Sequence, residues 1–301
     1  MPTIPGESSR IRPFLTPPEL AIVAVTIVWG TTFLIVHQAM RLSGPLFFVG
    51  VRMSAAGLLS AALLPWVGGR LTRLECLGGA GIGVAIFAGY ALQAQGLKTL
   101  DGSTSAFITA LYVPMVPLLQ WLVMRRAPRR FAWLGIVLAF VGLLVLTAPS
   151  GLSLSLASGE LVTLLATLAI AAEIVLIGHL ANRVDSRRVV AVQLLVAGLL
   201  CFAAMPVAGE RIPDFSWPLT AIALGLAGAS AIIQWVMNWA QKSVSPTRAT
   251  LLYAAEPVWA AFFGRLAGER EPASAWWGAA LIVIGVLVSE LETRAPPKPT
   301  G

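Results

Sequence analysis

The sequence predicts an all-α integral membrane protein of ten transmembrane helices, arranged as two inverted five-helix repeats. Three observations carry this. Of the 301 residues, 57% are hydrophobic and 12% charged, roughly half the charged share of a soluble domain. Mean hydropathy is +0.82, and a soluble fold of that composition would expose apolar patches that soluble monomers avoid. The apolar residues form ten runs close to the ~20 residues a bilayer core demands. Two parts of the chain also match each other at a fixed shift.

The runs cover 19–40, 44–66, 76–97, 102–124, 130–147, 158–180, 188–207, 217–241, 246–267 and 273–291. Pro17, Pro18 and Glu19 open the first, with proline where no amide donor is needed. No apolar h-region precedes it, so this helix is expected to act as the insertion signal. Short linkers leave no room for a soluble domain. The expected organisation is an N-terminal tail over 1–18, a first repeat over 19–147, a second over 158–291 and a proline-rich tail over 292–301. Most of the 28 glycines and eight of the 20 prolines lie inside the runs, as membrane helices tolerate. Gly79 with Gly83, and Gly225 with Ala229, have the spacing of close helix packing.

A net charge of +7 would suggest nucleic-acid binding in a soluble chain. Here the basic residues sit between apolar runs, and no nucleic-acid partner is expected. With ten spans, 15 Lys and Arg fall on the side of the termini and 5 on the other, with Arg52 inside a span completing the 21. The positive-inside rule then places both termini in the cytoplasm. Cys76 and Cys201 are too far apart in sequence to suggest a disulfide framework or a metal site. There is no GxxxxGK[ST], no HExxH and no nucleophile elbow. Gly78 to Gly83 lies in a span, away from any strand-to-helix turn. No metal, cofactor, catalytic residue or ATPase subunit is therefore expected.

Pro114, Trp133, Gly135 and Gly142 match Pro257, Trp276, Gly278 and Gly285 at a shift of 143, and Lys98 matches Lys242 at 144. Each half holds five spans, an odd number, so the second half enters the membrane with opposite polarity. Pro114 and Pro117 lie within the fourth span and Pro257 within the ninth. A proline there removes a hydrogen bond and crowds the preceding turn, so these three are expected gates or hinges. Broken helices at matching places point to a midplane substrate site.

Glu256 falls near the middle of the ninth span and Glu173 in the sixth, where an ionisable group is expensive and usually faces a bundle interior or wet cavity. Either could carry a coupling proton. Arg52, in the second span, could pair with a buried carboxylate or backbone carbonyls, or snorkel outward. Arg52 and Glu173 are read as structural charges. The expected substrate-binding side chains are Trp29, Tyr90, Gln93, Tyr112, His179, Gln234, Trp235, Asn238 and Glu256. Aromatic walls with a few amides and hydroxyls suit a zwitterion with an apolar side chain; the alternative for each aromatic is a lipid-facing position.

With these residues in place, the chain resembles the EamA-type transporters of the drug/metabolite transporter superfamily. The resemblance rests on Trp29-Gly30, Arg52, Glu256-Pro257-Val258, Gly268-Glu269 and the glycine-spaced last span with Gly278 and Gly285. It implies a bacterial inner-membrane exporter of small metabolites whose site lies between the two repeats. Within the family the chain is most similar to the aromatic amino-acid exporter branch. Two departures are visible: Glu271 stands where the family usually has an apolar residue, and Arg126 occupies the first-half position matching Glu269. The expected function is secondary export of amino acids by alternating access, by a monomer or homodimer in contact with membrane lipids. The competing readings are export of another metabolite or drug class, a passive channel, and a membrane-embedded enzyme using Glu173 or Glu256.

Overall fold

The computed structural model describes residues 15–125, 127, 130–147 and 158–268, together with 276–278, 280–281, 284–285 and 288. Most of both expected tails, the loop around Glu269 and Glu271, Arg126, and much of the tenth run lie outside the described residues. Among the described residues all regular elements are helical: α1 (Pro17–Ala39), α2 (Pro45–Ala62), α3 (Leu64–Val67), α4 (Arg73–Gly96), α5 (Gly102–Thr109), α6 (Tyr112–Met124), α7 (Arg130–Thr147), α8 (Ser158–Leu180), α9 (Ser186–Ala204), α10 (Trp217–Ala240), α11 (Pro246–Tyr253) and α12 (Glu256–Leu266).

Six spans are long and apolar enough to cross a membrane undivided: α1, α2 with α3, α4, α8, α9 and α10. The helix starts have local causes. Glu19 Oε2 accepts hydrogen bonds from the Thr16 amide and hydroxyl at 2.7 and 2.8 Å, satisfying donors at the N-terminus of α1. Thr72 and Glu75 exchange bonds in the same way at α4. The second run, expected as one helix to residue 66, ends its regular turns at Ala62 and resumes as α3 with Pro65 in the first turn.

Polarity is inverted relative to a soluble bundle. Leu58, Leu77, Leu122, Leu199 and Ile232 face outward, while Thr167, Glu173, Gln193 and Gln234 are buried. Such a surface is stable only in a lipid solvent.

The helix contacts repeat with two-fold logic. α2 packs on α9, the second helix of each half. α4 lies against α8 and α9, and α10 correspondingly against α1 and α2. α12 packs on α1 as α6 packs on α8. Glycine permits the tightest crossings: a Cβ on Gly57 would sit 2.7 Å from the Leu195 amide nitrogen, and one on Gly198 2.6 Å from that of Ser54. Gly79 and Gly83 press α4 onto Val192 and Gln193 of α9, as their spacing predicts. Gly225 corrects its expectation: it is exposed, and a Cβ there would meet nothing within 4 Å.

Candidate functional site

The fourth and ninth spans are both divided. α5 gives way to α6 at Ala110-Leu111, and α11 to α12 at Ala254-Ala255, positions related by a shift of 144. At each break the chain tightens into a three-residue turn, with Leu111 N donating to Ile108 O at 3.1 Å and Ala255 N to Leu252 O at 3.2 Å. Pro114 and Pro257 then fall in the first turn of the following half-helix, where a missing amide costs nothing but the ring crowds the residues before it. Pro117 lies inside α6. The Ala110 carbonyl accepts from Val113 N at 3.0 Å, so the break frees less backbone than the proline positions alone suggest.

Between the repeats lies a cavity of about 40 Å³. Its wall is built by Trp29, Thr32, Phe33 and Val36 of α1, by Phe48, Val49 and Arg52 of α2, and by Tyr90, Gln93 and Ala94 of α4. Thr109 of α5, Tyr112 of α6, Ile170 and Glu173 of α8, Met237 of α10 and Glu256 of α12 complete it, with Leu97 beyond the end of α4. At roughly 10–15 Å³ per water it holds a few waters. A larger solute requires the walls to part.

The charged groups here are held almost entirely by neutral partners. Glu256 Oε2 accepts from the Tyr112 hydroxyl at 3.1 Å. Glu173 Oε1 accepts from Gln234 Nε2 at 2.7 Å, and Gln234 Oε1 in turn accepts from Gln193 Nε2 at 2.7 Å. Arg52 Nε donates to Ser230 Oγ at 2.7 Å, and its guanidinium carbon lies 5.4 Å from the centre of the Tyr90 ring. Tyr90, Arg52, Glu173 and Glu256 line the same cavity, so a cation and two carboxyl groups share its wall with the phenol ring. Gln93 Nε2 donates to Thr109 Oγ1 at 3.0 Å. Trp29 packs against Tyr253 with ring centroids 5.1 Å apart. Gly30 beside it faces Trp259 and Ala260, and any side chain there would push α12 off α1.

Of the side chains expected to bind substrate, the structure brings Trp29, Tyr90, Gln93, Tyr112 and Glu256 together on the cavity wall. Gln234 stands behind the wall and holds Glu173, and Asn238 Nδ2 donates to the Gln234 carbonyl at 2.9 Å. Trp235 faces a separate groove with Trp239 and Lys242. His179 lies one turn from Arg183 at the end of α8, away from the cavity. Arg52 and Glu173, read from sequence as structural charges, both line the cavity. Ser230, a serine among small residues, carries no local signal of a role, and only the fold brings it to Arg52, 178 residues earlier.

A bundle of two oppositely running repeats around a central cavity lined by charged and aromatic side chains is the architecture of a membrane transporter. Residues 16–148 and 157–291 each match the EamA-like transporter family, and the chain belongs to that family. It is 29% identical over 290 residues to the inner membrane transporter YedA of Escherichia coli, covering 93% of this chain and 92% of that one. A transporter of Archaeoglobus fulgidus is 28% identical over 277 residues, covering 91% and 85%. A crystal structure aligned over 91% of this chain and 98% of its own, with a TM-score of 0.74 at 18% identity, shares the fold.

Proposed function

We propose that this transporter exports amino acids, aromatic ones among them, across the bacterial inner membrane by alternating access. One observation carries the reading: a single cavity holds a guanidinium, two carboxyl groups and aromatic walls together where the halves of the chain meet. Opposite charges beside apolar rings complement a zwitterion with an apolar side chain. The cavity of about 40 Å³ is narrow, which fits a stage of the cycle in which the two repeats are drawn together. Parting of the two repeats about the turns at Ala110-Leu111 and Ala254-Ala255 then opens it to one face at a time.

The similarity to an inner membrane transporter supports the location. The excess of Lys and Arg on the terminal side supports a cytoplasmic placement of both ends.

Counterflow in proteoliposomes tests the reading. Vesicles preloaded with unlabelled phenylalanine are expected to accumulate labelled phenylalanine transiently, with saturation. Accumulation of a sugar or nucleoside in place of every amino acid overturns the substrate class, and non-saturable equilibration without overshoot overturns alternating access.

A further inference from the structure

We infer that Arg52, oriented by Ser230, is the anion-binding residue of the cavity and selects substrates that carry a carboxylate. The inference rests on the transport reading above and names the group that the site recognises first.

Arg52 is 3% exposed, seven residues into α2, and its depth alone makes an uncompensated charge costly. A guanidinium carries five N–H donors. Among the described residues its hydrogen bonding consists of one bond, from Nε to Ser230 Oγ at 2.7 Å. Its ion pairing is empty in the same sense: the ion pairs here join Arg187 to Asp185, Arg188 to Glu75 and Arg248 to Glu19, all at helix ends. The terminal nitrogens of Arg52 are absent from the sealed, partnerless polar atoms, so they open onto the cavity that the residue lines. Ser230 fixes the Nε edge and the Tyr90 ring covers one face, which leaves the paired terminal N–H groups as a planar fork. Such a fork matches the two oxygens of a carboxylate.

The carboxyl groups of the cavity do not fill this role, because each is already turned to another helix. Glu256 is held by Tyr112 and Glu173 by Gln234. They line the same cavity as the guanidinium and, among the described residues, neither is ion-paired to it, so groups of both signs face a solute with charged ends. A purely structural arginine at this depth would instead be satisfied by protein carbonyls or a carboxylate.

The test uses purified full-length transporter and four matched probes: L-phenylalanine, L-phenylalaninamide, 3-phenylpropionate and phenethylamine. Binding is read by thermal stabilisation in detergent, and transport by counterflow. Phenylalanine and 3-phenylpropionate are expected to stabilise the wild type, and the two probes without a carboxylate to do so at least tenfold more weakly. Arg52→Gln should weaken binding of the two carboxylates at least tenfold and leave the other two unchanged, while its ligand-free melting temperature stays equal or rises. Arg52→Lys should recover part of the affinity, and Ser230→Ala should weaken carboxylate binding by a smaller factor.

Equal losses for phenylalanine and its amide in Arg52→Gln overturn the proposal, as does unchanged carboxylate binding. A ligand-free melting temperature that falls sharply in both Arg52→Gln and Arg52→Lys assigns the residue to the fold and overturns it also. Carboxylate binding that depends on Arg52 without any counterflow overturns the transport reading and leaves this assignment standing. A wild type stabilised by neither carboxylate overturns both.

Discussion

Tyr112 and Glu256 each begin the second half of a divided span, stand 144 residues apart, and are hydrogen-bonded to each other at 3.1 Å. The same shift relates the two tightened turns just before them. The bond therefore joins equivalent places in the two repeats, where α6 and α11 also pack together. A contact between symmetry-related residues lies close to the pseudo-two-fold axis. It is well placed to register the movement of one repeat against the other.

Removing the phenol hydroxyl isolates that link. Tyr112→Phe keeps the ring in the cavity wall and deletes the donor to a buried carboxyl group, a loss of about 1.5–3 kcal/mol. The melting temperature should fall, and counterflow should slow roughly tenfold for each 1.4 kcal/mol lost from the rate-limiting step. Glu256→Leu combined with Tyr112→Phe should cost less than the sum of the single changes, because each alone already deletes the one bond between them. Strict additivity in melting and rate would show that the pair is not coupled.

Two glycines give opposite forecasts from the same substitution. Gly198→Ala places a Cβ 2.6 Å from the Ser54 amide nitrogen at the α2–α9 crossing, where backbone has to move. Overpacking of that kind costs about 1–3 kcal/mol. Gly225→Ala meets open space on an exposed helix face and gains up to about 1 kcal/mol from helix propensity. Thermal unfolding in detergent should lower one midpoint and hold or raise the other.

Those two glycines also mark how far the sequence was readable. Among the described residues, the places and approximate limits of the helices followed from run length, since a bilayer core imposes one length on each span. The divided spans followed from Pro114 and Pro257 in register, because backbone chemistry is local. Which way a residue faces was not local. Gly79-Gly83 and Gly225-Ala229 have the same spacing, yet the first lies against α9 and Gly225 faces outward. The depth of Arg52 was readable from its position in a run, but its orientation depends on Ser230 of a distant helix. Hydropathy likewise could not separate Trp29, on the cavity wall, from Trp235, in another groove. Both are tryptophans within apolar helices.

Two carboxylates hold helix N-termini at opposite ends of the bundle. Glu210 accepts from the Leu46 and Phe47 amides at 3.1 and 2.7 Å, at the start of α2. Glu75 accepts from the Asp185 amide and Arg188 Nε, each at 3.0 Å, at the start of α9. The anion complements the positive end of the helix in both cases, a term of about 1 kcal/mol. Glu75 has in addition the ion pair with Arg188, so Glu75→Gln should destabilise more than Glu210→Gln. With Cys76 replaced by serine and a cysteine placed at Thr32, each variant should raise labelling by an impermeant reagent from its own end. An increase from the same end in both variants, or from neither, would separate these contacts from gating.

Pro117 and Pro257 differ in where their missing amides fall. Pro117 is inside α6, so Pro117→Ala restores a donor towards Val113 and relieves an interior proline, a gain of up to about 3 kcal/mol. Pro257 is in the first turn of α12, where its own amide had no helical partner to lose. Pro257→Ala should therefore change the melting temperature little. It does remove the ring that crowds the turn at Ala254-Ala255, which allows α11 and α12 to join as one stiffer helix. If that turn is the flexing point, Pro257→Ala slows counterflow several-fold while leaving the half-saturating concentration unchanged, and Pro117→Ala raises stability with a smaller effect on rate. Rates that fall equally in both variants would mean that bending is spread along α6 and α12, and an unaltered rate in Pro257→Ala would remove the ninth span from the moving parts.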